Sequence, residues 1–533
     1  QRPPLRPFAR LRRRERARET GQVDMATSSE ASDASDIPPV EMDEEARPEP
    51  VAPERLAEAE ALKEQGNKLL AAFQYNAAVE KYTAAIEICP TAVFLSNRAM
   101  AYIKREDFGL AIADADAAIA LDPSYLKSLY RRASANFALG RYKKALRDLR
   151  AVVKVRPNDP DAKRKLKACD RAVKEAAFAA AIESEQTAPL SQTIDVNSIV
   201  VEASYDGPVL ESGDNVTMEF VQAMIERFRA QKLIHRKFVI MMLLAAREHF
   251  AALPSLLRVS FPESPGPQFT VCGDTHGQFY DLLHIFEIGG MPSAENPFLF
   301  NGDFVDRGSF SVEVVTTLIA LKLATPRGLF MLRGNHESKS MSNIYGFAGE
   351  VRHKYDESVL ALFSEVFNVL PLCAVLENKV LVVHGGISTE PDVTLADMEA
   401  VPRNREPPES GLFSDLLWSD PQPFPGRSPS KRGVGYMFGS DITERFLQRN
   451  GLNLIVRSHE VKDEGYEVMH NGKVITVFSA PNYCDSIGNK GAFLRFRPGD
   501  DGPVYEVTQY TAVQHPPIKP MAYAFGGGMS GMF

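Results

Sequence analysis

The chain has 533 residues, of which 44% are apolar and 24% charged, and its net charge is −8. This length exceeds that of one ordinary domain, so we expect two or more domains. The negative net charge argues against nucleic-acid binding as the main role, because nucleic-acid-binding proteins carry a basic surface. The apolar stretch at residues 238–246 is about half as long as a membrane span requires, so no span is expected.

The first 53 residues predict a disordered segment. Eight arginines fall within the first 18 positions, and prolines at positions 3, 4 and 7 would interrupt an amphipathic targeting helix. An upstream extension before the start-like Met25 is therefore favoured over a mitochondrial or nuclear address. From Ser28 to about Pro53 the composition is Ser, Asp, Glu and Pro, which cannot bury enough apolar surface to fold.

A repeat of 33 to 34 residues runs from residue 54 to residue 157. Its columns are Gly66, Ala99 and Ala133; Tyr75, Phe108 and Tyr142; Ala78, Ala111 and Ala145; and Pro90, Pro123 and Pro157. This period predicts three tetratricopeptide repeats, which form an all-α superhelix of antiparallel helix pairs. The alternative is a generic alanine-rich bundle. Residues 158–183 predict a capping helix, and residues 184–215 an interdomain linker.

The pattern changes at about residue 216. Two helical segments, 218–232 and 236–253, precede six short apolar runs of strand length. The runs are residues 269–274, 297–303, 329–337, 379–386, 452–460 and 474–484. Helical stretches such as 311–324 separate several of them. The second domain is therefore predicted to be a layered α/β domain with at least partly parallel strands.

All six runs end in polar side chains of the kinds found in active sites. They are Asp274, His276, Asp303, Asp306, Arg307, Arg333, Asn335, His336, His384, His459, Asn482 and Tyr483. A single His or Asp at a strand end is usually a cap or a satisfied polar group. Because sites in α/β sheets assemble at the carboxyl ends of strands, six such ends in succession predict one shared site.

The residue types indicate a metal-centred phosphoryl hydrolase. Carboxylate, amide and imidazole ligands without thiolate suit manganese, iron or zinc, and they are too numerous for one ion. Two ions that share an Asp would activate a water and hold a phosphoryl group. Arg307 and Arg432 offer planar forks that match phosphate oxygens. No Cys is followed six positions later by Arg, which excludes a cysteine-nucleophile phosphatase.

Six motifs resemble those of the metallo-dependent phosphoprotein phosphatases, which act on phosphoserine and phosphothreonine. They are "GDTHGQ", "GDFVDRG", "LRGNHE", "HGG", "RG" at Arg432 and "SAPNYC". The resemblance covers about residues 216–515 and implies a β-sandwich flanked by helices. The motifs "LRGNHE", "LLWSDP" and "SAPNYC" favour a protein phosphatase. A nucleotide-hydrolysing metallophosphoesterase and an inactive repeat scaffold are the alternatives.

The resemblance also implies a role for each site residue. It implies two divalent metal ions, manganese or magnesium in vitro and iron or zinc in the cell. The metal ligands would be Asp274, His276, Asp303 (bridging), Asn335, His384 and His459. The phosphate contacts would be Arg307, Asn335, Arg432, His459 and Tyr483. His336 would protonate the leaving alkoxide, and Asp306 would orient it.

The repeat domain carries a second group of polar residues on its predicted inner helices. They are Lys63, Asn67, Asn97, Lys127 and Arg131. The group resembles the carboxylate clamp that holds the C-terminal Glu-Glu-Val-Asp tails of heat-shock protein 90 chaperones; a solvated basic face is the alternative. The partners expected are phosphoprotein substrates and these chaperones, with no nucleic acid and no membrane span.

The resemblance implies that the repeats restrain the catalytic domain until the clamp is occupied. The tail, residues 516–533, ends in a glycine-rich stretch that disfavours a helix by about 1 kcal/mol per glycine. The part that a C-terminal helix plays elsewhere in the family is therefore an open question for this chain. Five scattered cysteines without a Cys-x-x-Cys pair fit a reducing compartment. We expect a cytoplasmic protein, with the nucleus as a further location.

Overall fold

The repeat region is a stack of antiparallel helices. The computed structural model describes residues 52–183, 188–213, 215–388 and 390–524; the segment predicted to be disordered lies outside them, apart from Ala52 and Pro53. The helices are α1 (Pro53–Ala71), α2 (Tyr75–Ile88), α3 (Ala92–Lys104), α4 (Phe108–Leu121), α5 (Leu126–Ala138), α6 (Tyr142–Val155) and α7 (Pro160–Glu183). Helix α7 occupies the segment predicted to cap the repeats.

Small residues allow these helices to approach one another. A Cβ atom added to Gly66 would lie 2.6 Å from the ring of Tyr82, and Ala99 and Ala133 in the same column are completely buried. The repeat also recurs in its ion pairs. The guanidinium of Arg98 donates twice to Asp114, and 34 residues later Arg132 donates twice to Asp148. Each of these pairs joins two consecutive helices.

The catalytic domain alternates strands and helices. Its strands are β1 (Leu256–Val259), β2 (Phe269–Cys272), β3 (Phe298–Phe300), β4 (Leu329–Met331), β5 (Cys373–Leu376), β6 (Val380–Val383), β7 (Asp420–Pro421), β8 (Arg427–Pro429), β9 (Tyr436–Phe438), β10 (Leu454–Arg457), β11 (Tyr466–Met469), β12 (Val474–Val477), β13 (Gly491–Arg497) and β14 (Val504–Tyr510). Its helices are α8 (Leu190–Thr193), α9 (Met218–Arg229), α10 (Arg236–Ala251), α11 (Phe279–Gly289), α12 (Ser311–Ala324), α13 (Lys339–Tyr345), α14 (Phe347–Lys354), α15 (Glu357–Val369), α16 (Leu395–Glu399), α17 (Leu412–Trp418) and α18 (Ser440–Asn450).

Two large sheets carry the six strands that the apolar runs predicted. One sheet has the order β1-β5-β6-β10-β12-β11 and the other β14-β13-β2-β3-β4, while β7-β9-β8 form a small third sheet. Strands β6, β10 and β12 are parallel, and so are β2, β3 and β4. In the second group Val271 lies opposite Leu299, which lies opposite Phe330. Each sheet therefore has a parallel triplet whose strands end at the same edge.

The apolar core lies in layers. Buried side chains of both large sheets, including Val271, Leu299, Val382 and Val456, pack together as the centre of a sandwich. Helices α9, α10, α12 and α15 cover the outer face of the five-stranded sheet, and α16, α17 and α18 cover the six-stranded sheet. The predicted fold class, a repeat superhelix followed by a layered α/β domain, is confirmed. Among the described residues, no helix is both long and apolar enough to cross a membrane.

The segment predicted as a linker packs in part on the catalytic domain. Leu190, Ile194 and Ile199 lie against the core on the helical side of the five-stranded sheet. The amide of Ser191 donates to Glu365 of α15 at 3.3 Å. Residues 190–199 thus extend the catalytic domain, because they bury apolar side chains that a free linker would leave in water.

The described part of the C-terminal tail ends at residue 524. The amide of Met521 donates to the carbonyl of Arg307 at 2.7 Å, and Ser309 Oγ donates to the carbonyl of Lys519 at 2.6 Å. The Met521 side chain packs in an apolar cluster with Phe137 and Leu149 of the repeats. The tail therefore contacts both the loop after β3 and the repeat domain. The repeats, the second domain and this tail belong to one compact unit.

Candidate active site

The two parallel triplets bring carboxylates and imidazoles together. His276 Nε2 lies 3.7 Å from Asp274 Oδ2 and 3.6 Å from Asp303 Oδ2, and His384 Nε2 lies 3.3 Å from Asp303 Oδ2. The ligand atoms of Asp303, His384 and His459 lie within 4.8 Å of one another, as do those of His276, Asp303 and His336. All these side chains are buried. Asp303 belongs to both groups, which is the position expected of a bridging ligand.

The imidazoles are oriented as metal ligands. The Nδ1 atom of His276 donates to the carbonyl of Val305 at 3.0 Å, and that of His384 donates to the carbonyl of Asn301 at 2.8 Å. Since a carbonyl only accepts, each ring directs its Nε2 atom toward the carboxylates. His459 Nε2 is buried without a hydrogen-bond partner. A buried nitrogen without a partner is costly unless a cation occupies the site, so this donor set fits divalent metal ions.

Burial also shifts the pKa values of two of these side chains. Burial raises the pKa of the Asp274 carboxyl to about 7, against the opposing effect of His384. Burial lowers the pKa of His276 to about 3, which keeps this ring neutral and able to bind a metal. His384 Nε2 also lies 2.9 Å from Asn335 Oδ1, so the predicted amide ligand lies with the others. Bound metal ions would polarise a water and the phosphoryl oxygens at this point.

His336 lies beside the predicted metal ligands and has the contacts expected of a general acid. Its Nδ1 atom lies 2.8 Å from Asp306 Oδ2, while Asp306 Oδ1 accepts from the amide of Phe347 at 2.9 Å. Burial alone would lower the pKa of His336, but the charges of Asp303 and Asp306 raise it above its usual value. The raised pKa favours the protonated ring that a proton donor requires, and Asp306 fixes its orientation.

Arg432 is held from two sides. Its Nε donates to Asp420 Oδ2 at 2.7 Å, and its Nη2 donates to the carbonyl of His459 at 2.8 Å. Asp420 Oδ1 also accepts from Arg457 Nη2 at 2.7 Å. Because this carboxylate is completely buried between two guanidinium groups, it keeps Arg432 in one orientation beside the predicted metal ligands. Sequence reasoning gave Asp420 no role.

Arg307 is paired with a side chain of the repeat domain. Its Nη2 atom lies 2.5 Å from Glu106 Oε2, and its guanidinium lies 3.9 Å from the ring centroid of Tyr345. The ring of Tyr483 lies 5.1 Å from that of His276. A carboxylate of the second repeat therefore occupies one side of the guanidinium predicted to bind phosphate.

Several site residues have strained backbones. Positive φ angles, which side chains other than glycine rarely adopt, occur at His276, Asp303, Asp306, Arg307, His459 and Asn482. Such conformations cost about 1–3 kcal/mol each and concentrate at functional sites. The packed sheets below the loops hold these residues in place, so their side chains converge at the strand ends.

Comparisons with known proteins identify the family. Family models match as calcineurin-like phosphoesterase over residues 267–463, as tetratricopeptide repeat over 98–166 and as PPP5 TPR repeat region over 166–258. Serine/threonine-protein phosphatase 5 of Homo sapiens is 50% identical over 480 residues, which are 90% of this chain and 95% of the relative. The chain belongs to the serine/threonine-protein phosphatase 5 family.

Two further proteins agree with this family. Serine/threonine-protein phosphatase T of Trypanosoma brucei brucei is 50% identical over 475 residues, which are 89% of this chain and 99% of the relative. A solved Saccharomyces cerevisiae structure, described as a protein serine/threonine phosphatase with similarity to human phosphatase PP5, is 42% identical. It covers 58% of this chain and all of its own, with a TM-score of 0.55. The predicted family, enzyme class and phosphatase function are confirmed, and membership of this family implies divalent metal ions.

Sequence reasoning did not predict that Glu106 of this phosphatase contacts Arg307. It occupies the repeat position that follows the first helix of a pair, equivalent to Phe73 and Gly140, and all three residues have φ between 62° and 68°. Glycine suits this left-handed position best. A glutamate at a position that favours glycine was the available signal. The repeat periodicity gave no information about the surface that it would contact.

The five residues predicted to form the clamp lie on α1, α3 and α5. Asn67 Oδ1 accepts from Tyr82 Oη at 2.8 Å and from Asn97 Nδ2 at 3.2 Å. Lys63 pairs with Glu60 and Glu64, and Lys127 is exposed one turn before Arg131 on α5. The structure thus brings the two asparagines into contact. It describes no hydrogen bond or ion pair that joins Lys63 or Lys127 to them.

Arg131 has the surroundings of an anion site. Its Nε atom is buried without a hydrogen-bond partner, and burial lowers its pKa. Burial and then the charge of Arg131 lower the pKa of Lys104 to about 8. Burial also lowers the pKa of Lys165 to about 8, where Arg131 again contributes. An anion beside Arg131 would relieve this repulsion.

Proposed function

We propose that this serine/threonine phosphatase is restrained by its own repeat domain and released when an acidic C-terminal chaperone peptide binds the repeats. The ion pair between Glu106 and Arg307 carries the proposal. A carboxylate offers two oxygens and a negative charge to the guanidinium fork, as a phosphate does. While Glu106 occupies Arg307, the phosphate of a substrate has to displace it.

Further contacts support a restrained state. The amide of Gly109 donates to the carbonyl of Lys431 at 2.9 Å, and Arg141 Nη2 donates to the carbonyl of Gly433 at 2.7 Å. These two carbonyls flank Arg432, so the repeats lie beside both arginines that are predicted to bind phosphate. Such contacts exclude a folded protein substrate more strongly than a small aryl phosphate.

The apolar contacts between the two domains are also consistent with restraint. Met341, Ile344 and Tyr345 of α13 share a buried cluster with Phe137 and Leu149 of the repeats. Tyr345 packs on Arg307, so the cluster borders the predicted phosphate site. Burial of this surface stabilises the closed arrangement in addition to the ion pair.

A chaperone peptide can act only if it binds the released state more tightly than the restrained state. The cationic surroundings of Arg131 favour a peptide that ends in carboxylates. Adding such a peptide to the full chain should therefore raise the turnover of a phosphoprotein. The same peptide with its terminal carboxylate amidated is the matched control. Equal turnover with both peptides would contradict release through the clamp.

The reaction class has its own test. Phosphate release should be measured from a phosphoserine peptide and from nucleotides, with Mn²⁺ and with a chelator. We expect metal-dependent release from the peptide and little from the nucleotides. Preferential nucleotide hydrolysis would indicate a general metallophosphoesterase, and no release from either would indicate a binding scaffold.

The identity of the metals and the location of the protein are also proposals. The oxygen and imidazole ligands support manganese or magnesium in vitro and iron or zinc in the cell. Metal analysis of protein purified from its own source without added metal tests this assignment. The free cysteines support the cytoplasm, with the nucleus as a further location, which cell fractionation tests.

A further inference from the structure

Glu337 is a buried acid beside the metal ligands that binds backbone amides. It ends the segment that contains Asn335 and His336, and it is completely buried. Its Oε2 atom accepts from the amides of Asp303 and Gly334, both at 2.8 Å, and its Oε1 atom accepts from the amide of Phe304 at 2.8 Å. One carboxylate thus satisfies three backbone donors that lie beyond the ends of β3 and β4.

These three donors belong to the loop after β3 and the loop after β4, which pack closely against each other. A Cβ atom on Gly334 would lie 2.2 Å from Asp303 Oδ1, and one on Gly302 would lie 2.5 Å from the amide of Gly334. Asp303 itself has a φ of 50°. Because β3 and β4 have ended, ladder hydrogen bonds no longer hold this conformation. The carboxylate of Glu337 takes their place and fixes the loop that carries the bridging carboxylate.

Glu350 provides a contrast within the same domain. Its carboxylate is also buried and also accepts from two backbone amides, those of Ser311 at 3.1 Å and Val312 at 2.8 Å. However, Glu350 pairs with Lys354 at 2.8 Å. The hydrogen bonds described for the Glu337 carboxylate all come from backbone amides, which carry only partial charges. The charges of Arg333 and His384 also act on this carboxylate, so cations bound at Asp303 would add to the compensation of its charge.

We propose that Glu337 is a positioning residue for the metal centre, which holds the loop of Asp303 in place through its three hydrogen bonds from backbone amides. Second-layer groups of this kind change metal affinity by about 10- to 100-fold when they are replaced. The Glu337→Gln variant keeps the size of the side chain, but it removes the charge and turns an NH₂ group toward an amide donor. The Glu337→Asp variant keeps the charge and shortens the reach.

The test is a calorimetric titration in which Mn²⁺ is added to the full chain after a chelator has removed its metal. We expect Glu337→Gln to weaken Mn²⁺ affinity by about 10- to 100-fold, Glu337→Asp by less, and the control Glu350→Gln to stay within about twofold of the wild type. Unchanged affinity in Glu337→Gln, or an equal loss in Glu350→Gln, would overturn the proposal. If Glu337→Gln does not fold, wild-type affinity in Glu337→Asp would overturn it.

A second readout separates metal binding from chemistry. At saturating Mn²⁺, kcat of a folded Glu337 variant should return to within about threefold of the wild type, because the residue acts through the metal ligands. A loss of kcat that saturating metal does not restore would instead place Glu337 in the chemical step and contradict the assigned role.

Discussion

His336 Nδ1 and Asp306 Oδ2 lie 2.8 Å apart, and both side chains are buried beside the metal ligands. Replacing His336 by Ala should lower kcat by about 10²–10⁴-fold, because the leaving alkoxide loses its proton donor. Metal content should stay at the wild-type level, since His336 is assigned as an acid and not as a ligand. Asp303→Asn is the control that should lose metal. Loss of metal from His336→Ala would show that the assignment is wrong.

The charge of Asp306 should also set the pH dependence. It is one of the charges that raise the pKa of His336 above its usual value, so the acid stays protonated to higher pH. Asp306→Asn removes that charge and lowers the pKa of His336. The basic limb of the kcat/KM profile should then move to lower pH by about one unit or more. Asp397→Asn, at an exposed helix cap, should leave the profile in place. A basic limb that does not move would show that the ionisation of His336 does not produce it.

Arg432 should contribute to the affinity of the site for free phosphate. Arg432→Leu should raise the inhibition constant of phosphate by about 10-fold or more, as the loss of a charge-assisted contact predicts. Arg432→Lys should recover only part of the affinity, because an ammonium lacks the planar fork. Arg427→Leu, an exposed neighbour in β8, is the control. Phosphate inhibition of Arg432→Leu equal to that of the wild type would remove Arg432 from the site.

Clamp binding should depend on Arg131, whose Nε atom is buried without a hydrogen-bond partner in cationic surroundings. Arg131→Ala should weaken binding of a peptide ending in Glu-Glu-Val-Asp by about 1.5–3 kcal/mol. Turnover of a small aryl phosphate without peptide should not change. Binding to the wild type should weaken with salt, and Arg147→Ala, an exposed cation on α6, should bind normally. An affinity insensitive to both salt and Arg131 would indicate a different surface.

The sequence predicted those parts of the molecule that depend on local pattern. The 33- to 34-residue columns predicted the helix pairs because each small residue marks a place where a neighbouring helix packs closely. Gly66, which lies against the ring of Tyr82, is an example. The residues after the six strands predicted one shared site because parallel strands end at a common edge, and the structure brings Asp274, Asp303 and His384 together there. Residues 311–324, predicted as a helix, coincide with α12.

The contacts that local pattern could not predict join distant parts of the chain. Glu106 and Arg307 are 201 residues apart, and neither the repeat period nor a catalytic motif specifies that they meet. Asp420 lies in a recognisable motif, but its role depends on Arg432 and Arg457 approaching it from different loops. Glu337 likewise acts on backbone amides, which leave no mark in the sequence.

The restraint of the phosphatase by its own repeats is the central claim, and Glu106→Ala tests it most directly. Loss of a charge-assisted contact worth about 1.5–3 kcal/mol shifts the balance toward the released state by about 10- to 100-fold. Turnover of a phosphoprotein by the full-length variant should rise several-fold or more, and the chaperone peptide should stimulate it less than the wild type. Glu87→Ala, an exposed acid at the end of α2, should behave as the wild type. Basal turnover and peptide stimulation equal to those of the wild type in Glu106→Ala would contradict the account.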